Sequence, residues 1–457
     1  MMDYSKQAPR VPFFCPLLWA LGVMGLPLAH WCLIAKIEPF YTPIYAYLWW
    51  PFIFTVDFAV YLLRKRSMLQ ERPREFLLLT LWSTPGWLLF EVLNTRLQNW
   101  WYVQVPMEMI GLAFPLLFSY ATVLPGIFEV TELVQALLER LVPGGRIRGR
   151  PFQVTRAHVS IQMAAGGLML ALMLLWPRDF FALAWGFAFL LLDPFCWKLK
   201  GRSILGQIAS ADNTRLVTLL VSGFLCGGLW EAWNLGARTK WIYTVPFFDE
   251  LKLGEMPILG FLGFPPFALE CYAIVNFINL FRGGRSWELS REENRSLRGM
   301  APRHAIMSWG AVFFLTLFSG ALVFISTQVS CSIPLSHYYY GVEFGYAGAE
   351  ALQRAGADET HTFLRLKAPP SGIPPEKFEK LRELCIMAEI KGMGLVHAAR
   401  LRTLGIRTPA DLTRSHAPSL HDQIRLRYGE GIAPHVEVIA LWIGAARRMT
   451  GADRTED

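Results

Sequence analysis

Glu231 and Asn234 stand three residues apart in Gly227-Gly-Leu-Trp-Glu-Ala-Trp-Asn234, a spacing that puts an acid and an amide on one helix face. Trp241, Tyr243 and Pro246 follow them. The same residue types recur upstream as Glu91, Asn94, Trp101, Tyr102 and Pro106, at nearly the same spacings. The chemistry open to such a set is carboxylate acid-base work: the acid exchanges a proton, the amide orients it, and aromatic rings wall an apolar pocket. The structural alternative is an acid paired with a neighbour and aromatics that anchor helix ends at a membrane interface. Glu129 and Glu270 form a second pair of candidates, each four residues after a proline (Pro125 and Pro266) within an apolar run. A proline kinks a helix and re-aims the turn that follows it. Here the alternative is an ion pair with an arginine or a hydrogen bond from a tryptophan.

The elements that must position these residues are membrane helices. Of 457 residues, 53% are hydrophobic and only 18% charged, with a mean hydropathy of +0.32, which is too apolar for an ordinary soluble domain. About nine runs reach the roughly 20 residues that a spanning helix needs, centred near residues 24, 52, 84, 124, 167, 187, 224, 269 and 315. The fold class expected is therefore all-α: a polytopic membrane bundle followed by a small helical domain. No cleavable signal peptide is evident before the first run. Basic residues cluster in alternate connections, at Arg64 to Arg74, Arg140 to Arg156, Lys198 to Arg202 and Arg282 to Arg303. By the positive-inside rule these connections are cytoplasmic in a multi-pass inner-membrane protein, with the N-terminus inside and the tail after about residue 328 outside.

The spacings define an internal duplication. Asp57 precedes Arg66-Ser67 by nine and ten residues, and Asp193 precedes Arg202-Ser203 by the same intervals. These sets read as structural ion pairs, Asp57 with Arg66 and Asp193 with Arg202. The segmentation that follows is an N-terminal helix (1–42), repeat one (43–140), a loop with an extra helix (141–178) and repeat two (179–283). A charged loop with the last span (284–328), a linker (329–374) and a C-terminal domain (375–457) complete it.

Other chemistries find no support. No His pair stands at metal-ligand spacing, which disfavours a histidine-ligated di-iron oxygenase. No phosphate-binding glycine loop or nucleophile elbow stands in a convincing context. The expectation is of no cofactor and no metal. The tail, with sixteen Lys and Arg against fifteen Asp and Glu from residue 328 onward, is nearly neutral, so nucleic acid is an unfavoured partner. Cys331 and Cys385, both in that tail, are candidates for a disulfide.

Two resemblances add expectations. The run Leu229-Trp-Glu-Ala232, Trp241-Ile-Tyr243 and Gly254-Glu-Met-Pro257 resembles the repeated unit of the small membrane lycopene cyclases and related carotenoid enzymes. The resemblance implies protonation of an isoprenoid double bond, with Glu91, Glu129, Glu231 and Glu270 as acids. Asn94, Trp101, Tyr102, Asn234, Trp241, Tyr243 and Glu255 would then contact substrate. The carboxylate pair that follows the family's proline is absent here, where Ile258 and Leu259 follow Pro257; Glu255 or Glu270 would have to stand in for it. In the tail, Ile390-Lys-Gly-Met-Gly394 with Thr408-Pro-Ala-Asp-Leu412 resembles a helix-hairpin-helix domain, which makes Gly392 and Gly394 its turn. Three functions stay open: an enzyme acting on a membrane lipid or isoprenoid, a non-catalytic anchor that presents a protein-binding tail, and a pseudo-symmetric transporter.

Overall fold

A computed structural model describes residues 11–97, 99–103, 117–237, 239–243, 252–254, 256–297, scattered positions between 312 and 320, 337–357, 360–390, 393–429, 433–434 and 436–451. The chain divides into two compact units, one holding most of residues 1–321 and the other holding residues 98–114, 238–257 and 322–457.

The first unit is a bundle of α1 (Phe14–Ala35), α2 (Ile44–Arg64), α3 (Met68–Glu71), α4 (Pro73–Leu97), α5 (Val123–Leu141), α6 (Arg156–Leu175), α7 (Phe187–Lys198), α8 (Ile204–Ala209), α9 (Thr214–Gly236) and α10 (Phe264–Phe281). Eight described helices are long and apolar enough to cross a membrane. Their outer faces keep Leu17, Met24, Trp31, Ile161 and Leu168 exposed, a surface that suits lipid and not water. The fold is all-α, as expected. The ninth expected span, near residue 315, falls largely outside the described residues.

Packing shows how far the duplication extends. Helix α2 lies against α5, and α7 against α10; α4 lies against α5, and α9 against α10; α5 meets α9, and α10 meets α4. Each contact has a counterpart under exchange of the two halves. The helix read from sequence as an extra segment between the repeats belongs to this scheme. Gly22 of α1 sits so close to α2 that an added Cβ would lie 2.9 Å from the Pro51 carbonyl oxygen and 2.8 Å from the Thr55 nitrogen. A Cβ added to Gly166 of α6 would lie 2.8 Å from both the Phe187 oxygen and the Leu191 nitrogen of α7. Pro51 and Thr55 precede Asp57 by six and two residues, as Phe187 and Leu191 precede Asp193. Helix α6 is thus the counterpart of α1, and each repeat contains four long helices. An even number gives both copies the same direction through a bilayer.

The second unit contains a short antiparallel ribbon and the tail domain. Strands β1 (Trp100–Val103) and β2 (Lys240–Tyr243) pair with Trp101 opposite Ile242 and Tyr102 opposite Trp241, so the aromatic segments of the two repeats bind each other directly. A second small pairing joins β3 (Lys252–Leu253) to β4 (Met256–Pro257).

In the tail, α11 (His337–Arg354) and α12 (Thr360–Leu364) precede α13 (Pro375–Ala388), α14 (Gly394–Thr403), α15 (Pro409–Thr413), α16 (Ala417–Tyr428) and α17 (Val436–Thr450). The linker expected over 329–374 is therefore corrected. Leu352, Phe363 and Ile373 join Phe378, Leu381, Leu401 and Trp442 in one core, with the Phe363 and Phe378 rings 4.9 Å apart. Apolar residues too sparse to show a period still close a small core. Gly394 opens α14 at φ +68°, a left-handed conformation suited to glycine, and Gly392 lies outside the described residues. Cys385 is free and buried in this core, and Cys331 lies outside the described residues.

One tail residue sets a pH dependence. Burial, with help from the nearby Arg400, pushes the His397 imidazole down from 6.5 to about 4. Its ring packs 5.2 Å from Trp442. Because the unfolded chain binds this proton more readily, the contribution to stability is complete above pH 6.5 and is lost as pH falls towards 4. The protection of the α14 and α17 amides, with exchange rates corrected for their intrinsic pH dependence, is therefore expected to fall by about tenfold or more between pH 7 and 4.5. His397→Leu should flatten that response, and an unchanged pH profile in this variant would refute the assignment.

Candidate functional site

The four glutamates singled out by the sequence all lie on inner faces of the bundle. Glu91 of α4 and Glu231 of α9 are buried, and Glu129 of α5 and Glu270 of α10 are completely so. Glu91 accepts hydrogen bonds from Trp87 Nε1 (2.8 Å) and from the Tyr120 hydroxyl (3.3 Å). Glu231 stands between Trp230 and Trp233, both buried, and within electrostatic range of Tyr45. Asn234 is buried and Asn94 half-buried. Aromatic rings wall the interior in two matching sets. Trp49 packs on Trp230 (5.4 Å) with its edge to Trp233, and its counterpart Trp185 packs on Phe90 (5.8 Å) and Phe267 (5.6 Å). Gly126 leaves room for Trp49, since a Cβ there would approach the indole to 2.9 Å.

The second pair of acids is where the copies diverge. Glu270 Oε1 accepts the Ala188 N–H at 2.9 Å, at the start of α7, where Gly186 takes φ +130° and lets the helix begin late. The other oxygen of Glu270 is buried without a hydrogen-bond partner. In repeat one the matching stretch, around Phe52, lies inside the continuous helix α2, whose amides are already used within the helix. Glu129 accordingly has no cap. Neither of its oxygens accepts from an N–H or a hydroxyl, no Lys or Arg makes a salt bridge to it among the described residues, and its carboxyl shares a hydrogen bond with the carboxyl of Asp57. Asp57, Glu132 and Arg72 lie within electrostatic range of it. The ion-pair alternative for Glu129 and Glu270 is thereby set aside among the described residues.

Asp57 and Asp193 correct the sequence reading. Neither bonds its expected arginine: Arg66 approaches Glu71 (3.6 Å), and Arg202 approaches Glu288 (3.3 Å). The carboxylates instead cap the short helices that follow. Asp57 accepts from the Leu69 N–H (3.0 Å), the Ser67 hydroxyl (2.8 Å) and Trp19 Nε1 (2.7 Å). Asp193 accepts from the N–H groups of Ile204 (2.7 Å) and Leu205 (2.8 Å). Ser67 and Ser203 cap the next amides of α3 and α8. An acid at a helix N-terminus satisfies orphan donors and meets the positive end of the dipole, which two exposed arginines cannot match.

The aromatic residues expected to contact substrate, Trp101, Tyr102, Trp241 and Tyr243, lie on the β1–β2 ribbon, where Trp241 Nε1 donates to the Tyr243 hydroxyl at 2.9 Å. Glu255 lies outside the described residues.

Sequence reasoning missed an ionic centre at the arginine-rich end of the bundle. After α10 the chain turns through Gly283 and Gly284, at φ +69° and +80°, and sends Trp287 back into the bundle. The Trp287 indole stacks on Phe128 (4.7 Å, 14°), the neighbour of Glu129, and the Arg215 guanidinium lies 5.0 Å over it. Arg72 donates to the Trp287 carbonyl. Glu288 takes Arg215 (2.8 Å), Arg202 (3.3 Å) and the Tyr272 hydroxyl (3.0 Å). Glu132, one turn beyond Glu129, takes Arg64 at 2.7 Å and stands 3.8 Å from Arg215 and 3.9 Å from Arg72. Arg282 grips both oxygens of Glu75 at 2.7 and 2.8 Å and also bonds Asn279. Charged residues in a connecting loop carry no sequence signal of burial, so only the glycine pair hinted at this return.

Two pockets open elsewhere. One, of about 550 Å³, lies among Trp197, Lys198, Lys200, Arg202, Gly206 and Gln207, and a much smaller one lies beside Glu75 and Trp287. None of the four glutamates lines either. The described geometry is thus a set of inward carboxyls in an aromatic interior, sealed at one end by buried ion pairs and a tryptophan. No protein-family model matches the chain, and neither a curated protein nor a solved structure matches it.

Proposed function

We propose that this protein is an integral membrane enzyme that moves protons between buried carboxyls and an apolar substrate, a lipid or isoprenoid drawn from the bilayer. One observation carries the reading: Glu129 is completely buried within the bundle, with no N–H or hydroxyl donor and no bridging cation among the described residues, and its hydrogen-bonding neighbour is another buried acid, Asp57. Ionisable groups at membrane depth are costly and mark working sites. Glu129 and Glu270 are the proton-transfer groups, Glu91 and Glu231 shape the charge around them, and Asn234 orients its neighbour. Trp49, Trp230 and Trp185 present ring faces able to stabilise a cationic intermediate. The arginine-rich end, with its positive loops, faces the cytoplasm in this reading.

The experiment compares lipid and isoprenoid profiles of cells carrying wild type, Glu129→Gln, Glu270→Gln or no copy. Loss of a general acid costs about 10²–10⁴-fold in rate, so both variants should accumulate the same apolar precursor as the deletion. Unchanged profiles, with the protein present and folded, would overturn the reading. A second reading, a transporter, draws on the four-plus-four arrangement of repeats running in one direction. In that case the same variants would abolish uptake of a solute and leave every lipid species unchanged.

A further inference from the structure

We propose that the pocket between α7 and α8 binds a phosphate-bearing anion, the headgroup of an anionic membrane lipid or a soluble phosphate. The site lies where the span Phe181–Lys198 ends, so it sits at the height of a bilayer's headgroups. Its volume of about 550 Å³ falls within the roughly 300–1,000 Å³ of small-molecule sites. Lys198 and Lys200 are exposed at its mouth and form no salt bridge among the described residues. Arg202, in the wall, gives one N–H to Glu288 and has others to offer, and Glu288 is also held by Arg215. The backbone is not the recognising group: Asp193 and Ser203 already take the N–H groups of Ile204, Leu205 and Gly206.

The duplication supplies an internal control. Counting from Asp57 and Asp193, Gln70 corresponds to Gly206, Glu71 to Gln207 and Leu62 to Lys198. In repeat one the Gln70 side chain is buried where repeat two has no side chain, and Glu71 stands 3.6 Å from Arg66. Repeat two has therefore emptied the space and removed the acid, while each copy keeps three cations, Arg64, Lys65 and Arg66 against Lys198, Lys200 and Arg202. Arg64 is held by Glu132 and Glu139, whereas its counterpart Lys200 forms no salt bridge among the described residues. These changes convert a filled, neutralised corner into an open one whose two lysines form no salt bridge among the described residues. A lysine ammonium and an arginine fork are the side chains that recognise phosphate oxygens.

Native mass spectrometry of the full-length protein in detergent, titrated with phosphatidylglycerol or phosphatidylcholine, tests the site. Wild type should retain phosphatidylglycerol in preference to phosphatidylcholine. Lys198→Gln with Lys200→Gln should weaken that retention by about tenfold or more. Gly206→Gln, which restores the filling of repeat one, should weaken it without changing net charge, and Arg66→Gln in repeat one should leave it intact. Displacement of the lipid by millimolar inorganic phosphate assigns the site to a soluble phosphate, and its persistence assigns it to the lipid. Equal retention of the two lipids together with no binding of inorganic phosphate, or variants that bind as wild type does, would overturn the proposal.

Discussion

Glu288→Ala is expected to destabilise the bundle by about 3–5 kcal/mol, the cost of removing one partner from a buried ion pair. Glu288 lies in a loop, yet its side chain is 5% exposed and Arg215, its closest partner at 2.8 Å, is 11% exposed. Truncation would leave the Arg215 guanidinium facing Trp287 and a more distant Glu132, and the Tyr272 hydroxyl proton without its acceptor, although that oxygen still accepts from Gln207 Nε2. Glu288→Gln keeps one acceptor oxygen, enough for one of the two groups, and should lose less. Glu139→Ala serves as the contrast: Glu139 also pairs with an arginine, Arg64 at 2.6 Å, but is 41% exposed, and its loss should cost under about 1 kcal/mol. Reversible unfolding in mixed micelles reads all three variants, and a Glu288→Ala effect no larger than that of Glu139→Ala would refute the buried centre.

Asp57→Ala is expected to be at least as damaging. It orphans three buried donors, on Trp19, Ser67 and Leu69, at about 1–3 kcal/mol each. Asp193→Ala orphans the two amides of Ile204 and Leu205 and should cost less. Asn at either position retains an acceptor and should recover part of the loss, whereas substitution of Arg66 or Arg202 should not mimic the aspartate variants. Equal destabilisation by Asp57→Ala and Arg66→Ala would restore the ion-pair reading.

The duplication was legible because functional-looking residues kept their spacing: Glu91 to Asn94 and Glu231 to Asn234, Asp57 to Ser67 and Asp193 to Ser203. Its first helix was not, for two physical reasons. The close approach rests on single glycines, Gly22 and Gly166, and loop length differs between the copies, so that Asp57 follows its glycine by 35 residues and Asp193 by 27. The aspartates were placed as matched positions but given the wrong partners. Spacing pointed to the arginines, while the neighbouring serines were the sign of a helix start. Trp287 and Glu288 were invisible because a charged, glycine-bearing loop reads as solvated unless its backbone turns are known. The prolines four residues before Glu129 and Glu270 were the sequence sign of an inward aim for that pair. The difference between a capped Glu270 and an uncapped Glu129 was not legible, since it depends on where α7 begins.

The Glu75–Arg282 bond has a consequence in time. The two residues are 207 positions apart, one at the start of α4 and the other just past α10. At a synthesis rate of about 5–20 residues per second, Glu75 waits roughly 10–40 s after emerging before its partner exists. The first half of the protein therefore enters the membrane with a carboxyl that only the end of the second half can satisfy. Folding of the early helices stays provisional until the late ones arrive, and a chain truncated before Arg282 would carry that unmet carboxyl as a mark of incompleteness.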